Sequence, residues 1–349
     1  MRVVVLNAQV PFIRGGAEVL ADGLVDAIAA SGHEVDLVRV PFKWYPPQSV
    51  LDAIVGSRLL DLTSSNGQKI DRLITLKFPS YFAPHPNKTL WLVHQHRSAY
   101  DMWDTGTADL NVHPMGEVVR DAVISGDNRW LPDHKRIFTI SKNVRDRLHQ
   151  KLPCDAEVLY PPVSDANALK PEEYGDFFLL PSRINPSKRQ HLFVEALSRC
   201  TSRPKIIISG PIEDGAYYKK ICDYLHKSGR HEDVSFTGMI DRSKLIGLYN
   251  RCRGVLFSPQ DEDYGYVTLE AFYAGKPVIT ANDSGGPLEF VLDDQTGIVT
   301  DLTDISISAA LDKLWLDVNA ARRLGRNALA HIHSLNITWP ETVAKLLSQ

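Results

Sequence analysis

Val3-Val4-Val5-Leu6, then Gly15-Gly16-Ala17-Glu18, then Leu20, Leu24 and Ile28, then Glu34-Val35-Asp36-Leu37-Val38-Arg39-Val40: the first forty residues spell a strand, a glycine turn, a helix and a second strand. The β-branched run marks the first strand, and the leucines and isoleucine recur at the spacing of one helical face. Such a unit makes a parallel pair of strands joined by a right-handed crossover. The pattern continues, with strands expected at 73–76, 90–93 and 137–140. Between residues 95 and 131 the periodicity is poor, apart from a short helix carrying Val118, Val119, Ala122 and Val123. Tyr160-Pro161-Pro162 breaks the pattern, and the polar stretch 164–175 has neither period and reads as a linker. A second series of strands follows at 177–180, 205–209, 234–236, 254–257 and 277–280. The fold class is therefore α/β: two Rossmann-like, doubly wound domains facing one another, expected at 1–165 and 166–334. Their strand ends would share a cleft, the place where such sheets bind ligands.

Composition narrows the class. The chain has 349 residues, 44% hydrophobic and 23% charged, which suits two globular domains. A net charge of −3, from 39 basic and 42 acidic side chains, gives no bulk support to a nucleic-acid partner. Cys154, Cys200, Cys222 and Cys252 form no C-x-x-C pair and read as isolated thiols in a reducing compartment. No apolar run approaches the ~20 residues of a spanning helix. Met1-Arg2-Val3-Val4-Val5-Leu6 reads as a strand rather than a signal-peptide core, so a cytoplasmic chain is expected.

Three segments carry binding chemistry. Gly15-Gly16 lies just before the first helix, where backbone N–H groups and positive partial charge suit an anion. The absence of G-x-G-x-x-G after any strand counts against a dinucleotide oxidoreductase. In Leu180-Pro181-Ser182-Arg183-Ile184-Asn185-Pro186-Ser187-Lys188-Arg189-Gln190, Ser187 and Gln190 have capping-box spacing, which predicts a helix from Lys188. Arg183 and Lys188 would then converge with the helix N-terminus on one point that suits a diphosphate. The third segment, Pro259 through Ile279, runs from a strand through a glycine turn into a helix stopped by Gly275 and Pro277. Glu262 precedes this helix and Glu270 lies inside it. Both carboxylates are suited to accept from vicinal sugar hydroxyls, a better reading of Asp261-Glu262-Asp263 than an acidic metal triplet.

Taken together, these residues resemble glycosyltransferase family 4, whose members have the two-Rossmann GT-B fold. The resemblance runs through Gly15-Gly16-Ala17-Glu18, the His ending Leu90-Trp91-Leu92-Val93-His94, Phe138-Thr139-Ile140-Ser141, and Arg183 with Lys188. It continues through Ser209-Gly210-Pro211, the pair Glu262 and Glu270, and Ser284-Gly285-Gly286-Pro287-Leu288-Glu289. It implies a retaining glycosyltransferase that uses a nucleotide-sugar donor. Arg183 and Lys188 would hold the diphosphate, with the Gly15 and Gly16 amides covering it from the opposite domain. Glu270 would accept from the ribose and Glu262 from the hexose. The amides of Tyr266 and Val267, beyond the Gly265 turn, would add phosphate contacts. His94 would sit beside the reactive carbon, so that the resemblance assigns the chemistry to His94, Arg183, Lys188 and Glu262. The implied mechanism is front-face, with the leaving phosphate taking the acceptor's proton and no metal needed.

Departures from the family pattern bear on specificity. Ser182 stands where a Gly usually precedes the Arg, and Arg189 where a Gly follows the Lys. Arg189 reads either as solvent-facing or as an extra phosphate ligand. Together with Pro161-Pro162-Val163, it resembles a mannosyltransferase-like subset, which favours GDP-mannose over a UDP-hexose. His96 competes with His94, because a strand there would put both on one face. Arg97, Tyr100, Asp101 and Trp103 line the acceptor side or form an ordinary loop cluster. The acceptor stays open among a lipid-linked glycan, a growing polysaccharide and a small molecule. Residues 335–349 are expected as a helix crossing back to the first domain through Val343, Leu346 and Leu347. Peripheral membrane contact is the other reading of that segment, with Glu341 and Lys345 as its only charges. A non-catalytic nucleotide-sugar or glycan-binding relative should have lost one of Arg183, Lys188, Glu262 or Glu270, and a two-domain nucleotide-sugar epimerase should lack the Glu pair.

Overall fold

In the computed structural model, which describes residues 1–104, 110–152 and 154–348, the chain opens with β1 (Arg2–Gln9), buried on both faces along its middle. Burial on both faces is what a central parallel strand needs. After the glycine turn, α1 (Gly16–Ala30) buries Leu20, Leu24 and Ile28, and β2 (Glu34–Pro41) pairs parallel with β1 from Arg2↔Glu34 to Gln9↔Pro41. There follow α2 (Gln48–Arg58), a small antiparallel hairpin of β3 (Ser64–Ser65) and β4 (Gln68–Lys69), then β5 (Arg72–Thr75) and β6 (Lys88–Leu92). The unit continues with α3 (Gly116–Trp130), β7 (Arg136–Thr139), α4 (Lys142–Lys151) and β8 (Glu157–Val158). Its sheet is parallel, in the order β2-β1-β5-β6-β7-β8. The short helix expected around Val118 is the 15-residue α3. The strand expected at 90–93 ends at Leu92, so His94 and His96 do not continue a strand face.

The second unit contains β9 (Phe178–Pro181), α5 (Gln190–Ala196), β10 (Ile206–Ser209), α6 (Gly215–Lys227), β11 (Val234–Gly238) and α7 (Arg242–Arg251). It then runs through β12 (Gly254–Leu256), α8 (Tyr266–Tyr273), β13 (Val278–Ala281), β14 (Gly297–Thr300), α9 (Asp304–Leu316) and α10 (Val318–Ser334). This sheet is also parallel, ordered β11-β10-β9-β12-β13-β14. Phe178, Leu180, Ile208, Leu256 and Ile279 form one core with Leu311, Leu314 and Leu324 from the last two helices. Strand order reverses direction between β9 and β12, and ligands bind outside the strand ends at such a switch point. Two of the three sequence segments singled out for binding, those after β9 and after β12, flank it.

The chain divides into Met1–Pro162 with Ile337–Gln349, and Val163–Asn336. The final helix, α11 (Trp339–Leu347), packs in the first unit: Leu346 is fully buried, the Arg72 guanidinium donates to the Leu347 carbonyl at 3.2 Å, and Trp339 meets the edge of Trp91. The stretch 164–175, expected as a linker, is instead a strap fastened to the second unit. Asp165 pairs with Arg242, the Lys170 N–H donates to Asn250, and the Lys276 ammonium lies 3.9 Å above the Tyr174 ring. It lacks a period because side chains of other elements hold it. Gly275 takes φ +65°, and a Cβ there would lie 2.8 Å from Pro171, so both turn and strap require the glycine. Among the described residues no helix is long and apolar enough to cross a membrane.

Candidate functional site

In the second unit, the loop after β9 carries Arg183 and Lys188. The expected capping box does not form. Asn185 caps a 3₁₀ turn, Pro186–Lys188, by accepting from the Lys188 N–H at 3.1 Å, and the α-helix starts two residues later at Gln190. The buried Gln190 amide instead donates to Ser182 Oγ and the Arg183 carbonyl, both at 2.8 Å, fixing the loop. Ser182 thus supplies an acceptor that a glycine would lack. Arg183 pairs with Glu213, while the Lys188 ammonium pairs with Glu262. The two cations therefore have separate carboxylate partners, tethered through Asn185, which donates to Glu213.

Arg189 is not solvent-facing. It takes φ +51°, the left-handed conformation that a glycine adopts without strain, and its side chain is 10% exposed. The guanidinium donates to the carbonyls of Ser258 (2.8 Å) and Pro259 (2.7 Å) and to both oxygens of Asp283 (2.8 and 2.6 Å). It clamps together the loops that follow β9, β12 and β13.

The segment after β12 is held on both sides. The Gln260 N–H donates to the Ser187 carbonyl, the Glu262 N–H to Ser284, and the Gly286 N–H back to Glu262. A Cβ on Gly286 would lie 2.6 Å from the Tyr264 carbonyl, so Ser284-Gly285-Gly286 passes beneath Glu262 and Tyr264 only as glycine. Gly265, at φ +89°, then turns the chain into α8. Tyr266 and Val267 are its first residues, whose N–H groups have no partner carbonyl within the helix and point at its N-terminal end. Glu270 sits one turn further in. Burial raises its pKa, opposed chiefly by Arg242, whose guanidinium lies 2.7 Å from the carboxylate.

In the first unit the Gly15 N–H is already engaged: it donates to Glu18 at 2.9 Å. Burial alone would push the Glu18 carboxyl up, but Lys77 at 2.8 Å and the Gly15 N–H outweigh it and hold it low. Gly15 has extended dihedrals, and a Cβ there would meet nothing closer than 3.6 Å. The fold itself therefore does not demand this glycine. Gly16 is exposed at the head of α1.

The two histidines part company. His94 is half-buried and lines a pocket of about 320 Å³ with Gln95, Arg97, Tyr100, Asp101 and Arg147. Its Nδ1 lies 2.7 Å from the Gln95 carbonyl, which only accepts, so Nδ1 is the donor. His96 packs instead against Phe78 and Phe42, and burial, aided by His94, pushes its pKa down to about 4. Arg97, Tyr100 and Asp101 line the pocket, whereas the Trp103 ring is covered by Arg120. Behind the pocket, the Asp127 carboxylate accepts from Tyr100 (2.6 Å), Gln95 (2.7 Å) and Tyr81 (2.8 Å).

Residues 165–331 match the family model described as Glycosyl transferases group 1. This match falls within the second unit. Human alpha-1,3/1,6-mannosyltransferase ALG2 is 30% identical over 201 residues, covering 51% of this chain and 48% of ALG2, so the chain spans about half the length of the curated relatives it matches. HepE of Anabaena, solved with UDP and glucose, superposes with TM-score 0.70 at 18% identity, over 98% of this chain and 97% of HepE. WaaG, a glycosyltransferase involved in lipopolysaccharide biosynthesis, superposes over 100% of both chains with TM-score 0.70 at 15% identity. The fold is the two-Rossmann GT-B fold.

Of the residues singled out in the sequence, Arg183, Lys188 and Glu262 stand on the loops at the switch point of the second unit, and Glu270 stands inside α8. Sequence reasoning missed Arg242, which reaches Glu270 from another helix, and the clamp made by Arg189. In the first unit it missed Asp127. Single charged residues on amphipathic helices, such as Arg242 and Asp127, carry no local signal. The αL glycine position occupied by Arg189 was a signal, since an arginine held there needs strong partners.

Proposed function

We propose that the chain is a retaining hexosyltransferase that takes a hexose from a nucleoside-diphosphate sugar, GDP-mannose ahead of a UDP-hexose, by a metal-independent front-face reaction. The observation that carries this reading is the switch point of the second unit. Two cations and the Glu262 carboxylate stand there on loops clamped by Arg189, beside the N-terminus of α8 and its Glu270. UDP in HepE and mannosyl transfer in the name of ALG2 support the donor class.

Each residue has a task. Lys188 and Arg183 exchange their carboxylate partners for the diphosphate and neutralise charge as the glycosidic C–O bond breaks. Tyr266 and Val267 offer backbone N–H groups to the phosphates. Glu262, released from Lys188, accepts from hexose hydroxyls, and Glu270 accepts from the ribose. The leaving β-phosphate takes the proton of the acceptor hydroxyl, so the hexose leaves and the acceptor enters on one face and configuration is retained. Fixed cations supply the neutralisation that a divalent ion would otherwise give. The His94 pocket is assigned to the acceptor, a glycan, a lipid-linked sugar or a small molecule.

The test is donor turnover without added acceptor. Protein incubated with GDP-mannose or UDP-glucose in excess EDTA should release nucleoside diphosphate and α-configured hexose, resolved by NMR before mutarotation. A thermal-shift screen should show stabilisation by the matching nucleoside diphosphate, about 2.7 kcal/mol at 100 times Kd. No stabilisation by any nucleoside diphosphate refutes the donor class. Turnover lost in EDTA and restored by Mg²⁺ refutes metal independence, and an initial β-hexose refutes retention.

A further inference from the structure

The first residue of α7 is a cation, which opposes the helix dipole and needs an anionic partner. Arg242 has two. Its Nε and Nη2 grip both oxygens of Asp165 at 2.7 Å, and Nη2 also reaches Glu270 Oε1 at 2.7 Å. Asp165 stands on the strap, two residues past Val163, and Glu270 stands inside α8. One guanidinium thus joins the strap to the carboxylate assigned above to the ribose.

The Glu270 carboxylate, 13% exposed, would be a poor acceptor site on its own. Burial disfavours its charge and Asp165 repels it, while the neutral Tyr249 hydroxyl helps to hold the carboxylate ionised. Among the described residues, Arg242 is the cation that acts on it most strongly. An ionised carboxylate offers about four acceptor positions, so engagement of Oε1 leaves capacity for hydroxyls.

We propose that Arg242, braced by Asp165, is a positioning residue that fixes the Glu270 carboxylate for the vicinal hydroxyls of the donor ribose. The proposal rests on the ribose role given to Glu270. Asp165 keeps the guanidinium from swinging out to solvent, and Arg242 keeps the carboxylate charged and aimed. Burial already raises the Glu270 pKa; without Arg242 it would rise further, and nucleotide binding would acquire a pH dependence beyond that of the intact protein.

Calorimetric titration of UDP and GDP into the full chain, from pH 6 to 8, tests this. Each affinity is divided by that of the wild type at the same pH, which cancels ionisation of the phosphates. In Arg242→Gln the ratio should fall as pH falls, by up to about tenfold per pH unit below the raised pKa. Arg242→Lys, which restores the charge, should flatten the ratio, and Asp165→Asn should give a smaller loss than Arg242→Gln. A ratio independent of pH in Arg242→Gln, or no flattening by Arg242→Lys, overturns the proposal. If Glu270→Ala binds UDP and GDP like the wild type, and 2′-deoxy analogues bind equally, the ribose role of Glu270 falls and takes the proposal with it. Weak binding by Glu270→Ala with normal binding by Arg242→Gln overturns Arg242 alone.

Discussion

Replacing Arg189 by glycine sets two terms against each other. Relief of the left-handed backbone at φ +51° stabilises by about 1–2 kcal/mol, of which glycine's greater freedom in the unfolded chain takes back about 0.5–1 kcal/mol. Against this stand four hydrogen bonds from a side chain that is 10% exposed. The two to buried carbonyls involve a charged donor and contribute about 1.5 kcal/mol each, while the pair with Asp283, itself 40% exposed, contributes about 1 kcal/mol after screening. The balance is a loss of about 3 kcal/mol. For a domain of this size, 1 kcal/mol moves Tm by about 2–4 °C, so the second unit should melt roughly 6–12 °C lower. Scanning calorimetry of the full chain, with and without a saturating nucleoside diphosphate, reads the shift directly. The Kd of properly folded variant at low temperature should change little, because the guanidinium faces Asp283 and backbone carbonyls. An unchanged Tm with a large loss of nucleotide affinity would refute the clamp and restore the reading of Arg189 as a phosphate ligand.

Lys188→Met keeps the aliphatic stem and removes the charge. Donor turnover should fall by roughly 10²–10³-fold with a much smaller change in donor Kd, because charge on the β-phosphate grows toward the transition state; a Kd that rises as steeply as turnover falls makes Lys188 a uniform binder. Because Lys188 and Glu262 are paired, Lys188→Met/Glu262→Gln should be less impaired than the two single losses combined, and strict additivity in the kinetic cycle would deny the coupling. Glu270→Ala should weaken free nucleoside diphosphate and intact donor alike, by about 1.5–3 kcal/mol, whereas Glu262→Ala should spare the free nucleotide; calorimetry showing equal losses would erase the distinction. Burial pushes the Asp127 carboxyl up to about 6 despite its three hydrogen bonds. The folded pKa thus lies above the unfolded ~3.9, so the penalty is absent below about pH 4, complete above about pH 6, and totals about 3 kcal/mol. Asp127→Asn should therefore gain stability relative to wild type between pH 4.5 and 7.5 in urea titrations, and parallel pH curves would show that Asp127 stays ionised throughout.

What was legible in the sequence followed from local chemistry. Repeated β-branched runs with helical spacing between them announce parallel sheets, because a strand buried on both faces is apolar along its middle, as Val3 to Leu6 of β1 and the whole of β9 are. Gly275 with Pro277 announced the end of α8, because the φ of +65° that the stop requires is a property of that residue alone. The capping box failed for an equally local reason. Asn185 is as good a cap as Ser187 and lies two residues earlier, ahead of Pro186, and Gln190 found better acceptors in Ser182 and Arg183. The partner of each site residue lay beyond reach of such reasoning. Glu262 faces Lys188 from 74 positions away, and Arg189 faces Asp283 from 94. Nothing in the spacing of Arg242 distinguishes it from an ordinary helix-surface arginine. Charge is a long-range interaction, so the meaning of a charged residue depends on which strand ends the topology gathers. Here the reversal of strand order between β9 and β12 makes that choice: it sets the loops bearing Lys188 and Glu262 side by side, and the site follows from the sheet.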